Sequence, residues 1–188
     1  MAGLLRPFES GPLLQAIREA CDLPVHFHTH ATSAGSIATA MEMARNGCEI
    51  IDFCTASMAD GTSQPSLNAF VAMMEHNQKP TDFKFMDLEP YDMYWQRVRD
   101  MYSPFESGMK SGSARVFEHQ IPGGQYSNLF AQCKSMDLFH RWEEVLDAYR
   151  DVNAIFGDIV KVTPSSKCVG DLALYLVTKG VKAEDLLD

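Results

Sequence analysis

Between residues 12 and 76 the apolar pattern switches repeatedly between a helical and a strand period, and this alternation restricts the fold more than any other property of the chain. Residues 12–20 place Leu13, Ala16, Ile17 and Ala20 on one helical face. The run 25–30, after Leu23-Pro24, is short and predicts a strand. Helical spacing returns over 36–45 through Ile37, Ala40, Met41 and Ala44, with Asn46-Gly47 as a stop signal. Residues 49–54 predict a second strand. A third helix is predicted over 66–76, apolar at Leu67, Phe70, Val71 and Met74. Helix, strand, helix, strand, helix with short links implies a parallel sheet with helices packed outside it.

Beyond this the grammar changes. Aromatic residues (Tyr91, Tyr94, Trp95, Tyr102) cluster around a predicted helix over 91–102. Glycine and serine rise over 107–124 and predict irregular structure, whereas 142–156 and 166–178 again read as helices. The chain therefore divides into an α/β portion, 1–100, and a mainly helical portion, 101–188. Its 188 residues are enough for a core of its own or for part of a larger one. A net charge of −9 argues against nucleic acid or an anionic membrane as the main partner. No apolar run approaches the roughly 18 residues of a membrane span, and residues 1–7 do not read as a signal peptide. Five cysteines without a C-x-x-C pair argue against a disulfide framework and for a reducing compartment.

Two segments carry chemistry. In Val25-His26-Phe27-His28-Thr29-His30, strand alternation turns the three imidazoles to one side and Val25, Phe27 and Thr29 to the other. His28 and His30, one strand step apart, suit a divalent transition metal, with its remaining positions filled from other strands. The same pattern also fits ordinary hydrogen-bonded or surface histidines, and His26 suits a packing or outer-shell role. The second segment is Val162-Thr163-Pro164-Ser165-Ser166-Lys167. On its residues alone it reads as a turn in which Ser165 or Ser166 caps the helix that follows.

Longer stretches around both segments resemble the carboxyltransferase domain of pyruvate carboxylases. The family's H-T-H-D-T-S-G appears here from His28, with Ala31 in place of the acidic residue. The loop containing Ser57-Met58 and Gly61-Thr62-Ser63-Gln64-Pro65-Ser66, the segment from Glu118 to Tyr126 with Pro122-Gly123-Gly124, and the run from Val162 to Ala173 match in order. The Pro-Gly-Gly segment is read as a structural turn that uses positive φ.

The resemblance implies a partial TIM (β/α)8 barrel, its C-terminal strands and helices over 1–100, followed by the start of a helical, funnel-like extension over 101–188. It implies transfer of a carboxyl group from carboxybiotin to pyruvate, giving oxaloacetate. His28 and His30 are then ligands of a divalent metal (Zn, Mn or Co). Thr163 carries a proton between biotin and the pyruvate methyl group, and Ser166 and Lys167 line the biotin pocket. Implied partners are pyruvate, a carboxybiotin carrier domain and the rest of the barrel, in a homo-oligomeric parent enzyme of the cytoplasm, or of the mitochondrial matrix in a eukaryote. Biotin is carried on a separate domain or subunit, since no attachment site is present, and ATP acts at another domain, since no glycine-rich phosphate loop is present.

The family's carboxylated lysine, its other metal-binding aspartate and its substrate arginine fall upstream of Met1. The isolated chain is accordingly expected to be inactive. Lys167 favours this reading over the oxaloacetate decarboxylase alpha chain and the transcarboxylase subunit, which usually carry glutamine there. A catalytically inert metal-binding fragment is the remaining alternative.

Overall fold

Residues 3–75, 81–106, 109 and 111–187 are described by the computed structural model, and they divide into two units, Met1–Ser113 and Ala114–Asp188. The first unit has the expected order: α1 (Ser10–Ala20), β1 (His26–Phe27), α2 (Ser36–Arg45), β2 (Ile50–Ile51) and α3 (Leu67–Met74). The strands pair in parallel, His26 opposite Ile50 and Phe27 opposite Ile51, with α2 as the crossover that a parallel pair needs. Both are shorter than the predicted 25–30 and 49–54. A strand is held by its neighbour, and among the described residues the two runs ladder with each other only at these positions, while Cys54 forms one separate bridge to Ser66.

Phe27 packs with Leu5, Leu14 and Met43, while Ala40, Phe70 and Met74 form a second cluster. Full burial of each large side chain contributes roughly 1.5–3 kcal/mol, so the apolar faces of α1, α2 and α3 are what hold the strand pair. Ser66 caps α3 by accepting the Ala69 amide at 3.2 Å. The predicted last residue of that helix, His76, lies outside the described residues. The next helix, α4 (Phe85–Tyr102), starts before the predicted 91 because Pro90 sits inside it without ending it. Pro90 forgoes one backbone hydrogen bond, at a position exposed to solvent. None of the residues of α4 is buried.

The second unit holds α5 (Val116–His119), α6 (Gly123–Ser135), α7 (Trp142–Ile155) and α8 (Ser165–Lys179). Here the structure corrects two expectations. Residues 107–124 are not uniformly irregular, and Pro122-Gly123-Gly124 is not a positive-φ turn. Positive φ falls on Gln120 (57°), which ends α5, while Pro122 is the N-cap of α6 at φ −61°. Glycine costs about 1 kcal/mol in a helix relative to alanine, but Leu129 and Cys133 of α6 are fully buried against α7 and α8. That burial offsets the poor propensity of the first turn. Gly170 lets α8 approach α6: a Cβ there would meet Gln125 Nε2 of α6 at 2.5 Å, so that side chain would have to move, and would touch Leu129 Cδ1 at 3.4 Å.

His119 shows how this core constrains charge. Its ring is buried, and its Nδ1 accepts the Ile121 amide at 3.1 Å, which requires the neutral form. Burial, helped by the nearby Arg115 guanidinium, lowers its pKa to about 4 from 6.5. The unfolded chain therefore binds the extra proton first as pH falls through 6.5. Stability is fully present above that pH and is lost down to about 4, by about 2–3 kcal/mol. The urea midpoint of the chain should fall between pH 7.5 and 5. His119→Asn, which keeps an acceptor but does not titrate, should flatten that dependence; an unchanged slope would reject the assignment.

Candidate functional site

The alternation predicted for the first segment is present beyond the short ladder. Phe27 and Thr29 are buried, His26 and His28 are exposed and His30 is half-buried on the opposite side. The His28 and His30 rings meet edge to face with centroids 5.3 Å apart. Each is held through Nδ1. His28 Nδ1 lies 2.7 Å from Asp52 Oδ2, and His30 Nδ1 lies 2.5 Å from the Thr62 carbonyl oxygen. The other Asp52 oxygen lies 2.7 Å from His26 Nε2. These bonds from His26 and then His28 hold the Asp52 carboxyl below its ordinary pKa, against a smaller desolvation effect.

Two loops brace the histidines. The Gly61–Ser66 loop supplies both the Thr62 carbonyl to His30 and the Ser63 carbonyl, which accepts the Ala31 amide at 2.8 Å. From the other side, the Ser113 amide donates to the Thr32 carbonyl at 2.7 Å. Residue 112 can only be glycine in that approach, because a Cβ would meet the Ala31 carbonyl oxygen at 2.6 Å and the Ala34 amide closer still. Ala31 is itself buried, so the position that carries an acidic residue in the resembling family is here a small apolar contact.

The pair fits a divalent metal by its donor chemistry. A carbonyl oxygen only accepts, so His30 Nδ1 carries the proton and Nε2 keeps the lone pair; the ionised Asp52 imposes the same tautomer on His28. Ligating imidazoles characteristically donate their second ring N–H to a carboxylate or carbonyl. His26 presents the reverse arrangement, its Nε2 turned to Asp52. Among the described residues no group of three or more His, Cys, Asp and Glu side chains forms a cation site. A metal held here takes its other ligands from outside those residues.

In the second unit Thr163 is exposed and precedes Pro164 across a cis peptide bond. Neither serine caps α8 through its side chain, contrary to the turn-and-cap expectation; the N-cap is Pro164. The Ser165 hydroxyl instead accepts the Val162 amide at 3.1 Å and lies 2.5 Å from the Val160 carbonyl oxygen, tying down the approach to Thr163. Lys161 donates to Gln120 Oε1 at 3.0 Å, and partial burial lowers its pKa. Ser166 is buried, whereas Lys167 is exposed and pairs with Asp171 one turn on at 2.6 Å. The site residues thus fall into two sets, His28 with His30 and Thr163 with Ser166 and Lys167. Sequence reading missed Asp52 as the partner of both His26 and His28. The available signal was its place inside the second predicted strand; the parallel register of the structure sets it level with His28.

A conserved carboxylase domain family matches residues 116–188. The pyruvate carboxylase of Bacillus subtilis is 48% identical over 188 residues, which is 100% of this chain and 16% of that protein. Pyruvate carboxylase 1 of Caenorhabditis elegans is 44% identical over 191 residues, with the same coverage. The solved carboxyl transferase domain of Rhizobium etli pyruvate carboxylase, with pyruvate or with pyruvate and biocytin, matches at a TM-score of 0.96 and 40% identity. That match covers 100% of this chain and 32% of the domain structure. The chain therefore spans about one sixth (16%) of the length of its curated relatives.

Proposed function

We propose that this chain, a member of the pyruvate carboxylase family that matches over its own whole length 32% of a solved carboxyltransferase domain, serves in moving a carboxyl group from carboxybiotin to pyruvate. The observation that carries this reading is the match of all 188 residues to the Rhizobium etli carboxyl transferase domain solved with pyruvate and biocytin.

In this reading His28 and His30 hold a divalent metal (Zn, Mn or Co) through Nε2, with further ligands from the rest of the domain. When bound, the metal supplies Lewis acidity near the developing enolate of pyruvate. The hydroxyl of Thr163 takes a proton from the pyruvate methyl group and gives one to the biotin ring nitrogen from which the carboxyl group departs. The enolate carbon forms the new bond to that carboxyl carbon, and oxaloacetate results. Ser166 and Lys167 border the biotin side, where Lys167 would exchange part of its pairing with Asp171 for the incoming ligand. Ser165 and Lys161 do not act on substrate; they fix the backbone that presents Thr163.

The β1–α2–β2–α3 order supports placing 1–100 in a (β/α)8 barrel and 101–188 in its helical extension. The rest of that barrel is the natural cover for the aromatic face of α4, where Tyr91, Tyr94 and Tyr102 are exposed. Biotin on its carrier and ATP at a separate domain complete the parent enzyme, a homo-oligomer. Its location is the cytoplasm, or the mitochondrial matrix in a eukaryote; the rat relative is named as mitochondrial, and no helix among the described residues is long and apolar enough to cross a membrane.

The test is a chimera in which this chain replaces its matching segment in the Bacillus subtilis enzyme. ATP- and bicarbonate-dependent formation of oxaloacetate from pyruvate should persist. A folded chimera that still carboxylates its biotin yet makes no oxaloacetate would overturn the reading, and sodium-coupled loss of oxaloacetate would point instead to the decarboxylase alternative.

A further inference from the structure

The parallel register places Asp52 level with His28, since His26 faces Ile50 and Phe27 faces Ile51. The Asp52 amide donates to the Phe27 carbonyl at 3.1 Å, which fixes the backbone at that level. Residues level across a parallel pair project to the same side, and the carboxylate reaches both histidines of that side at once. Oδ1 meets His26 Nε2 and Oδ2 meets His28 Nδ1, each at 2.7 Å, with the Asp52 side chain 37% exposed. The ligand reading accounts for the arm of this bridge that meets His28, but not for the arm that meets His26.

We propose that Asp52 is a positioning residue for the metal site: one carboxylate holds His28 with its proton on Nδ1, so that Nε2 is the nitrogen that carries the lone pair, and it holds His26 turned the other way, out of the ligand set. The proposal rests on the reading of His28 and His30 as metal ligands. It explains why the first of three imidazoles on one strand face is not a donor. His26 spends Nε2 on Asp52, so it cannot offer that nitrogen to a metal, and its interaction with Asp52 keeps the carboxylate aimed at His28. Only an ionised carboxylate serves both rings, because it accepts two N–H groups. An amide in its place has one acceptor and presents its NH₂ group to the other ring.

The experiment uses the full-length chimeric enzyme, stripped of metal and reloaded with Co(II). Two quantities are read: the Co(II) dissociation constant by competition with a chelator, and the visible absorption of bound Co(II). Asp52→Asn should weaken Co(II) by about 10–100-fold, the usual cost of losing an outer partner of a ligating histidine, and should alter the absorption. The melting temperature of the metal-free protein should stay near wild type, which a merely structural role would not allow. If Asp52→Asn does not fold, His28→Nδ1-methylhistidine provides the second test. It keeps Nε2 but removes the proton that Asp52 accepts, and the same loss is expected. A Co(II) affinity and spectrum unchanged by either substitution would overturn the proposal. His28→Ala separates the two levels. If it abolishes tight binding while Asp52→Asn does nothing, the ligand assignment stands and the Asp52 proposal falls; if it leaves binding unchanged, the ligand assignment falls as well.

Discussion

Thr163→Ala in the full-length enzyme is expected to lower pyruvate carboxylation by about 10²–10⁴-fold, the range that a positioned proton-transfer group contributes. ATP-dependent carboxylation of biotin, performed at a separate domain in the proposed enzyme, should continue. Thr163→Ser keeps the hydroxyl and should retain part of the activity. The competing interpretation is that Thr163 only shapes the turn before α8. The hydrogen bonds speak against that role, because the turn is held by the Ser165 hydroxyl, at 3.1 Å from the Val162 amide, and by Lys161 on Gln120. Removing an exposed threonine hydroxyl from such a segment should change stability by no more than about 0.5 kcal/mol. The decisive measurement is both half-reactions and the melting temperature of the same variant. Loss of both half-reactions together with stability would assign Thr163 to the fold, and wild-type carboxylation of pyruvate with alanine at 163 would defeat the proton-transfer role.

The second large effect concerns the histidine pair. His28→Ala and His30→Ala should each remove most of the bound metal and lower oxaloacetate formation along with it. Each loss should exceed the about 10–100-fold that follows from disturbing an outer partner. His26→Ala should keep most of its metal, because that ring is turned to Asp52 through Nε2. Metal content per protein, measured beside activity for the three variants, checks the ranking. Equal metal content in all three would remove His28 and His30 from the site. The two single substitutions should also differ in stability: His28 is about half exposed, whereas the His30 ring braces the Gly61–Ser66 loop through Thr62. His30→Ala should therefore be the more destabilising.

The parts of the fold legible in the sequence were those governed by local periodicity. Helices α1, α2, α7 and α8 lie within a few residues of their expected bounds, because an amphipathic stripe records its own period without reference to a partner. α6 was not legible. Its first residues, Gly123 and Gly124, are the poorest helix formers apart from proline. What makes them helical is the burial of Leu129 and Cys133 against α7 and α8, a contact between segments far apart in sequence. The strands were legible in place but not in extent, since a ladder depends on where the neighbouring strand runs.

The same division holds at the candidate site. Period-two alternation alone determined that His26, His28 and His30 share one face, because the direction of a strand side chain is a local property of the backbone. The family resemblance, likewise a property of the linear sequence, singled out Thr163, Ser166 and Lys167. Only the tertiary structure decided which nitrogen of each imidazole carries the proton. That choice depends on the parallel register that brings Asp52 level with His28, and on the loop that brings the Thr62 carbonyl to His30. It also decided that residue 112 must be glycine, through the approach of one backbone segment to another. A tautomer and a close approach are set by partners dozens of residues away. Residue type and spacing fix which groups can meet a metal, while non-local hydrogen bonds fix which atom each of them presents.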